Sequence, residues 1–90
     1  MLSIYYSSQF KRDYKVIKKR GYDLKLMTDV IQKLIKGDPL PAKYKEHTLK
    51  GKYSGQKECH ITPDWLLVYK IDNDCLILTM TRTGTHSDLF

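Results

Sequence analysis

Three histidines, an aspartate and an arginine are the residues of this 90-residue chain whose types suit acid–base chemistry on a phosphate ester. His47 follows a stretch containing Pro39 and Pro41, His60 lies near the end of an apolar run, Asp64 comes four residues later, and Arg82 precedes His86 by four. An imidazole takes or gives a proton near neutral pH, a carboxylate does the same or orients an imidazole, and a guanidinium holds a phosphate. RNA cleavage by its own 2′-hydroxyl needs that set: a base for the hydroxyl proton, an acid for the leaving 5′-oxygen, and positive charge on the phosphorane-like transition state. Each acid or base contributes about 10²- to 10⁴-fold in rate, so two of them with an arginine supply most of what a slow ribonuclease requires. A single histidine is more often a surface or satisfied core residue; three with Asp64, Arg82 and two basic clusters point to a site.

Metal chemistry fits less well. Nucleases that use magnesium gather carboxylates, and here the acidic residues are scattered. Three histidines can ligate zinc, but none has the close spacing of an HExxH helix. The expectation is a site with no metal and no cofactor. Cys59 and Cys75 lie in separate apolar runs rather than in a CxxC pair, and both are expected as reduced core residues.

Sixteen Lys and Arg against ten Asp and Glu leave a net charge of +6, clustered as six basic residues within 11–20 and five within 43–57. Such clusters suit a polyanion or an acidic protein partner. Lys50, Lys52 and Lys57 are candidates to meet a phosphate backbone, and Trp65 and Phe90 to stack unpaired bases. Trp65 opens an apolar strand, so core packing competes for it, whereas Phe90 is the last residue and is less bound to a core.

The elements that must position these side chains follow from periodicity. Residues 2–6 suit a first strand entering the core. Ser7 or Ser8 offers a cap for a basic amphipathic helix with Phe10, Tyr14 and Ile17 on one face, ended by Gly21. Asp23 caps a second helix whose apolar positions run from Leu24 to Ile35 before Gly37 stops it. Residues 38–46 form an extended crossing. From Leu49 onward the pattern is strands, at 56–61, 65–71 and 75–82, joined at hairpin spacings, with His86 in a polar turn after the last. One α+β domain over residues 1–90 is predicted, a two-helix hairpin packed on one face of an antiparallel sheet. With 41% hydrophobic residues the chain is not of the disordered class. No charged-then-apolar leader and no apolar run near the roughly 18 residues of a membrane span occur, so a cytoplasmic protein without membrane contact is expected.

The runs His47-Thr-Leu-Lys-Gly51, Glu58-Cys-His-Ile-Thr-Pro-Asp-Trp65 with Leu66-Leu-Val-Tyr-Lys70 after it, and Arg82-Thr-Gly-Thr-His86 with Leu89-Phe90 resemble the YafQ toxins of the RelE superfamily. The resemblance spans nearly the whole chain, including the Pro-Leu-Pro loop at 39–41. It implies a RelE-like fold and the toxin of a type II toxin–antitoxin system, an mRNA interferase cutting mRNA in the decoding site of the 70S ribosome. It implies an acidic DinJ-like antitoxin as partner, with operator DNA met only through the antitoxin. By the same resemblance His86 stands at the principal catalytic histidine, His60 and Asp64 at the second histidine and the carboxylate, and His47 at the histidine after the loop. Arg82 would stabilise the phosphate and Phe90 would pack near the substrate bases. Lys57 and Glu58 depart from the family's arginine and aspartate, which changes reach while keeping charge. The competing reading is a non-catalytic RNA-binding module, or an antitoxin-bound co-repressor, on the same fold.

Overall fold

The computed structural model describes residues 2–90 as β1 (Ser3–Tyr6), α1 (Ser8–Lys19), α2 (Leu24–Lys36), β2 (His47–Thr48), β3 (Lys57–Thr62), β4 (Trp65–Asp72), β5 (Ile77–Gly84) and α3 (His86–Leu89), with 3₁₀ turns at Ala42–Tyr44 and Gly51–Tyr53. Local chemistry sets the helix ends. Ser7 Oγ accepts from the Phe10 N–H at 2.9 Å and donates to the Thr81 carbonyl at 2.7 Å, so the cap of α1 also ties it to β5. Asp23 accepts from the Lys25 N–H at 3.1 Å, and Gly37 closes α2 in the left-handed region with φ 77°.

The sheet order is β1-β5-β4-β3-β2, with β1 parallel to β5 and every other pair antiparallel. The predicted meander is β3-β4-β5. Phe10 and Ile17 of α1 and Met27, Val30, Ile31 and Leu34 of α2 bury against one sheet face, meeting Cys59, Leu67, Tyr69, Leu78 and Met80. Each such side chain contributes about 1.5–3 kcal/mol of transfer free energy. The other face carries a smaller cluster of Leu66 and Val68 under Tyr53 and Leu89. Among the described residues no helix is long and apolar enough to cross a membrane.

Several expectations are corrected. Residues 2–6 enter the core only in part: parallel pairing with β5 leaves β1 at the sheet edge, where Leu2 and Ile4 pack against the core and Tyr5 is 60% exposed. Strand pairing resumes at His47 rather than Leu49. The polar turn after β5 is a short helix, α3, fixed by a capping box in which Thr85 and Asp88 bond each other's backbone. Cys59 is a core residue, its thiol pushed up to about 12 by burial and then by the nearby Glu46 and Glu58. Cys75 is exposed, since Asp72 Oδ1 accepts from the Asp74 and Cys75 N–H groups at 3.1 Å each and holds a turn that delays β5 to Ile77.

Trp65 is also corrected. It is 3% exposed, packs edge-on to Tyr22 at 5.0 Å and donates from Nε1 to Thr83 Oγ1 at 2.9 Å, so no base can reach its face. Trp65→Phe deprives Thr83 of that donor and should cost about 1–2 kcal/mol in urea unfolding while leaving affinity for single-stranded RNA unchanged. Lost RNA affinity at undiminished stability would return the indole to the substrate.

Candidate active site

Strand register assembles the site. Antiparallel pairing sets His47 opposite Glu58, and the two-residue period of β3 puts His60 on the same face. Across β4 the partners are Val68 for Glu58 and Leu66 for His60; across β5 they are Arg82 and Gly84. Arg82 reaches this face because of a bulge: Tyr69 pairs with Met80 but Val68 pairs with Arg82, leaving Thr81 unpartnered. Without that extra residue Arg82 would share the helix-facing side of Met80.

Glu58 is 5% exposed and lies between the two imidazoles, its Oε1 3.1 Å from His47 Nε2 and 4.0 Å from His60 Nε2. Their other nitrogens face carbonyls, His47 Nδ1 that of Lys45 at 3.0 Å and His60 Nδ1 that of Pro63 at 3.3 Å. A carbonyl only accepts, so each Nδ1 carries a proton when it bonds there. Both nitrogens of His47 therefore face oxygen atoms, and the contact with Glu58 is an ion pair when the imidazole is protonated. Among the described residues Glu58 Oε2 is buried with no hydrogen-bond partner, a costly arrangement in a folded chain.

His60, Asp64 and His86 meet at a cleft of about 320 Å³ that Glu58, Pro63 and Leu66 also line. Asp64 comes from the turn between β3 and β4, and His86 is the first residue of α3. The Phe90 ring lies 5.0 Å from that of His86 and meets Tyr53 edge-on at 5.7 Å, yet the residue stays 55% exposed. An aromatic face so held is available for stacking.

Arg82 is more committed than its sequence role suggests. Nε and Nη2 donate to Asp13 at 2.8 and 3.0 Å, and Nη1 lies 3.5 Å from the Tyr53 hydroxyl. The hydrogen bonds to Asp13 raise the guanidinium further above its ordinary range, so it stays charged. Nη1 is the edge turned to Tyr53, and Arg82 does not itself line the cleft of His60, Asp64 and His86. Asp13 and Tyr53 were not singled out by type and spacing. A signal existed for Asp13, the one acid among six basic residues in 11–20, and none for Tyr53.

The candidate lysines divide. Lys50 and Lys52 are exposed on the segment over the site face, Lys52 Nζ standing 5.6 Å from the Tyr53 ring centre. Lys57 is not brought to the cleft: one residue before Glu58, it points to the opposite face and lines a hollow with Leu2, Ile35 and Ile71. A roomier groove of about 620 Å³ separates α1 from α2 over Phe10, Met27 and Ile31, rimmed by Lys11, Lys15 and Lys18. It holds no histidine or carboxylate, so size does not mark the reactive face. Among the described residues no three His, Cys, Asp or Glu side chains converge as a metal cage.

The family model described as the bacterial toxin of type II toxin–antitoxin systems, YafQ, matches residues 2–90. The mRNA interferase toxin YafQ of Escherichia coli (strain K12) is 41% identical over 88 residues, spanning 97% of this chain and 94% of the relative. Among solved structures, the metal-bound toxin from Helicobacter pylori matches with a TM-score of 0.93 at 46% identity, covering 100% of both chains. The corresponding chain of the E. coli DinJ–YafQ complex matches with a TM-score of 0.91 at 40% identity, covering 100% of this chain and 99% of that one. With an α+β, RelE-like fold and a family match over residues 2–90, this chain belongs to the YafQ family of type II toxin–antitoxin toxins.

Proposed function

We propose that the chain is a ribosome-dependent mRNA endoribonuclease that cleaves by 2′-hydroxyl attack, using its own acid–base groups and no metal. The observation that carries this reading is the meeting of His60, Asp64 and His86 at one cleft, with His47, Glu58 and Arg82 on the same sheet face. The mRNA interferase name of the E. coli relative supports it. The 2′-oxygen attacks phosphorus and loses its proton to one group of the His60, Asp64 and His86 set, while another protonates the departing 5′-oxygen. Arg82 offers Nη1 to the phosphate, since its other edge is held by Asp13. Lys50 and Lys52 attract the backbone and Phe90 stacks a base.

A cleft this small supplies few walls to hold the attacking and leaving oxygens in line, and orientation accounts for several kcal/mol of a barrier. The ribosome, and hence the cytoplasm, supplies the missing positioning. On ribosomes programmed with mRNA, cleavage should exceed that of the free message by at least about a hundredfold. The upstream fragment should first carry a 2′,3′-cyclic phosphate and the downstream one a 5′-hydroxyl. His86→Ala should lower the single-turnover rate by about 10²- to 10⁴-fold with the fold intact by circular dichroism. A 5′-phosphate end, equal rates on free RNA, or wild-type cutting by His86→Ala would defeat the mechanism.

The H. pylori relative is metal-bound, which bears on the metal question. His47, Glu58 and His60 carry nitrogen and oxygen donors; His47 Nε2 lies 3.1 Å from Glu58 Oε1 and both Nδ1 atoms face carbonyls, and among the described residues no three such side chains converge as a cage. On this reading these groups serve as proton carriers, and no step runs through an ion. Toxin stripped with a chelator and dialysed should cut at its original rate on ribosomes kept in magnesium buffer. Activity that returned only on adding a transition metal would overturn this.

The partner is an acidic antitoxin, which meets operator DNA on behalf of both proteins. The E. coli relative was crystallised with DinJ. A net charge of +6 attracts such a segment, and covering the histidine face excludes RNA. Diethyl pyrocarbonate should modify His47 and His86 of the free toxin and spare them in the complex. Equal modification of both in an inhibited complex would rule out direct masking.

A further inference from the structure

Helix α1 carries two opposite charges on one side, Asp13 and Arg20, seven residues and thus two turns apart with buried Ile17 between them. Each grips the segment that supplies Arg82, His86 and Phe90. Asp13 takes Arg82 through Nε and Nη2, and its Oδ2 also accepts the Thr83 N–H at 3.2 Å. Gln9 Nε2 donates to Asp13 Oδ1 at 3.1 Å and fixes the carboxylate in turn. Arg20, at the C-cap of α1, donates from Nη1 and Nη2 to the two oxygens of Asp88 at 2.7 and 3.2 Å, a bidentate fork. Asp88 Oδ2 also accepts the Thr85 N–H at 2.9 Å, so the residue that Arg20 holds is the one that caps α3.

α3 has four residues and cannot hold itself by helix propagation. It is seated by the Leu89 side chain, by its capping box and by this pair. The seat is close: a Cβ on Gly84, whose φ is +151°, would come within 3.0 Å of Asp88 Oδ2.

We infer that Asp13 and Arg20 are positioning residues of the cleavage site: α1 braces the C-terminal segment at two points, Asp13 aiming Arg82 and Arg20 seating α3 so that His86 and Phe90 face the cleft. The inference rests on the nuclease reading for its kinetic consequence and on geometry alone for its structural one. Hydrogen bonding between Arg20 and Asp88 raises the guanidinium and holds the Asp88 carboxyl well below the usual carboxylate range, so the latch stays charged throughout the pH range in which histidines act. The pair is 41% and 31% exposed, and its removal does not threaten the core.

The test compares Arg20→Ala, Arg20→Lys and, as a control removing the same charge from exposed α2 surface, Lys25→Ala. Imidazole and aromatic-ring NMR should show the His86 and Phe90 signals shifted and broadened in Arg20→Ala, with His47 and His60 unmoved and Lys25→Ala like wild type. Single-turnover cleavage on programmed ribosomes should fall about ten- to a hundredfold with the KM for ribosomes within about twofold, and Arg20→Lys should recover part of the rate. Asp13→Asn adds the second point: the Arg82 Nε–H signal, protected in wild type, should exchange rapidly in the folded variant. If that variant does not fold, the Arg20 series decides. Unchanged His86 and Phe90 spectra in Arg20→Ala would overturn the brace whatever the rate does. A wild-type protein that cuts no RNA would sink the nuclease reading and leave the spectra to judge the brace.

Discussion

The buried contact between Asp13 and Arg82 is the interaction on which the functional half of the fold depends. β1 is four residues long and accompanies β5 only as far as Met80, so the edge of β5 loses its strand partner where the chain reaches Arg82 and Thr83. An unpaired N–H and a guanidinium then sit against the helix that follows β1. One carboxylate satisfies both. Breaking such a pair by removing one partner costs about 3–5 kcal/mol because the other charge is left buried alone, whereas the pair's net worth against apolar side chains is small. Its contribution is to fix where the guanidinium points.

The site face follows from register. Two irregularities, at Thr81 in β5 and at Ile61 in β3, bring the strand ends into their final alignment, and the first turns Arg82 over to the face of Glu58. Glu58 then stands buried between two imidazoles with one oxygen unpaired. Leaving a buried oxygen without a donor costs about 1–3 kcal/mol, which packing elsewhere offsets. The sheet thus has a conventional apolar face under α1 and α2 and a second face on which Glu58 and two imidazoles stand beside the smaller apolar cluster.

Charge and chemistry are separated in the same way. Lys11, Lys15 and Lys18 rim the groove between α1 and α2, on the helix side of the sheet, while Lys50 and Lys52 are exposed on the segment that carries Tyr53 over the other face. The long-range field of both clusters draws a polyanion or an acidic chain towards the molecule. On the proposed nuclease reading, the second is the one that meets the phosphate backbone. α1 belongs to both surfaces, since its lysines face outward and Asp13 and Arg20 face the C-terminal segment.

The sequence by itself determined the two helices, the three-stranded meander and their caps, because Phe10 to Ile17 and Leu24 to Ile35 repeat with the helical period and Ser7, Asp23 and Gly37 are local signals. The histidines, Asp64 and Arg82 were legible as a set because their side-chain chemistry is intrinsic. Local signals carry no record of what lies across the sheet. Only the tertiary structure decided that Trp65 is spent on Thr83, that Cys75 lies outside while Cys59 lies inside, and that Lys57 faces away from the cleft one residue before Glu58 faces into it. It also decided that Asp13, 69 residues from Arg82 along the chain, shares its charge, and that Arg20 holds α3 through Asp88 from 68 residues away. Composition and periodicity report what a residue can do and which side of its own element it occupies. Partners chosen by register, bulges and the short reach of β1 are long-range outcomes of packing, and those are what turn a set of titratable side chains into a site.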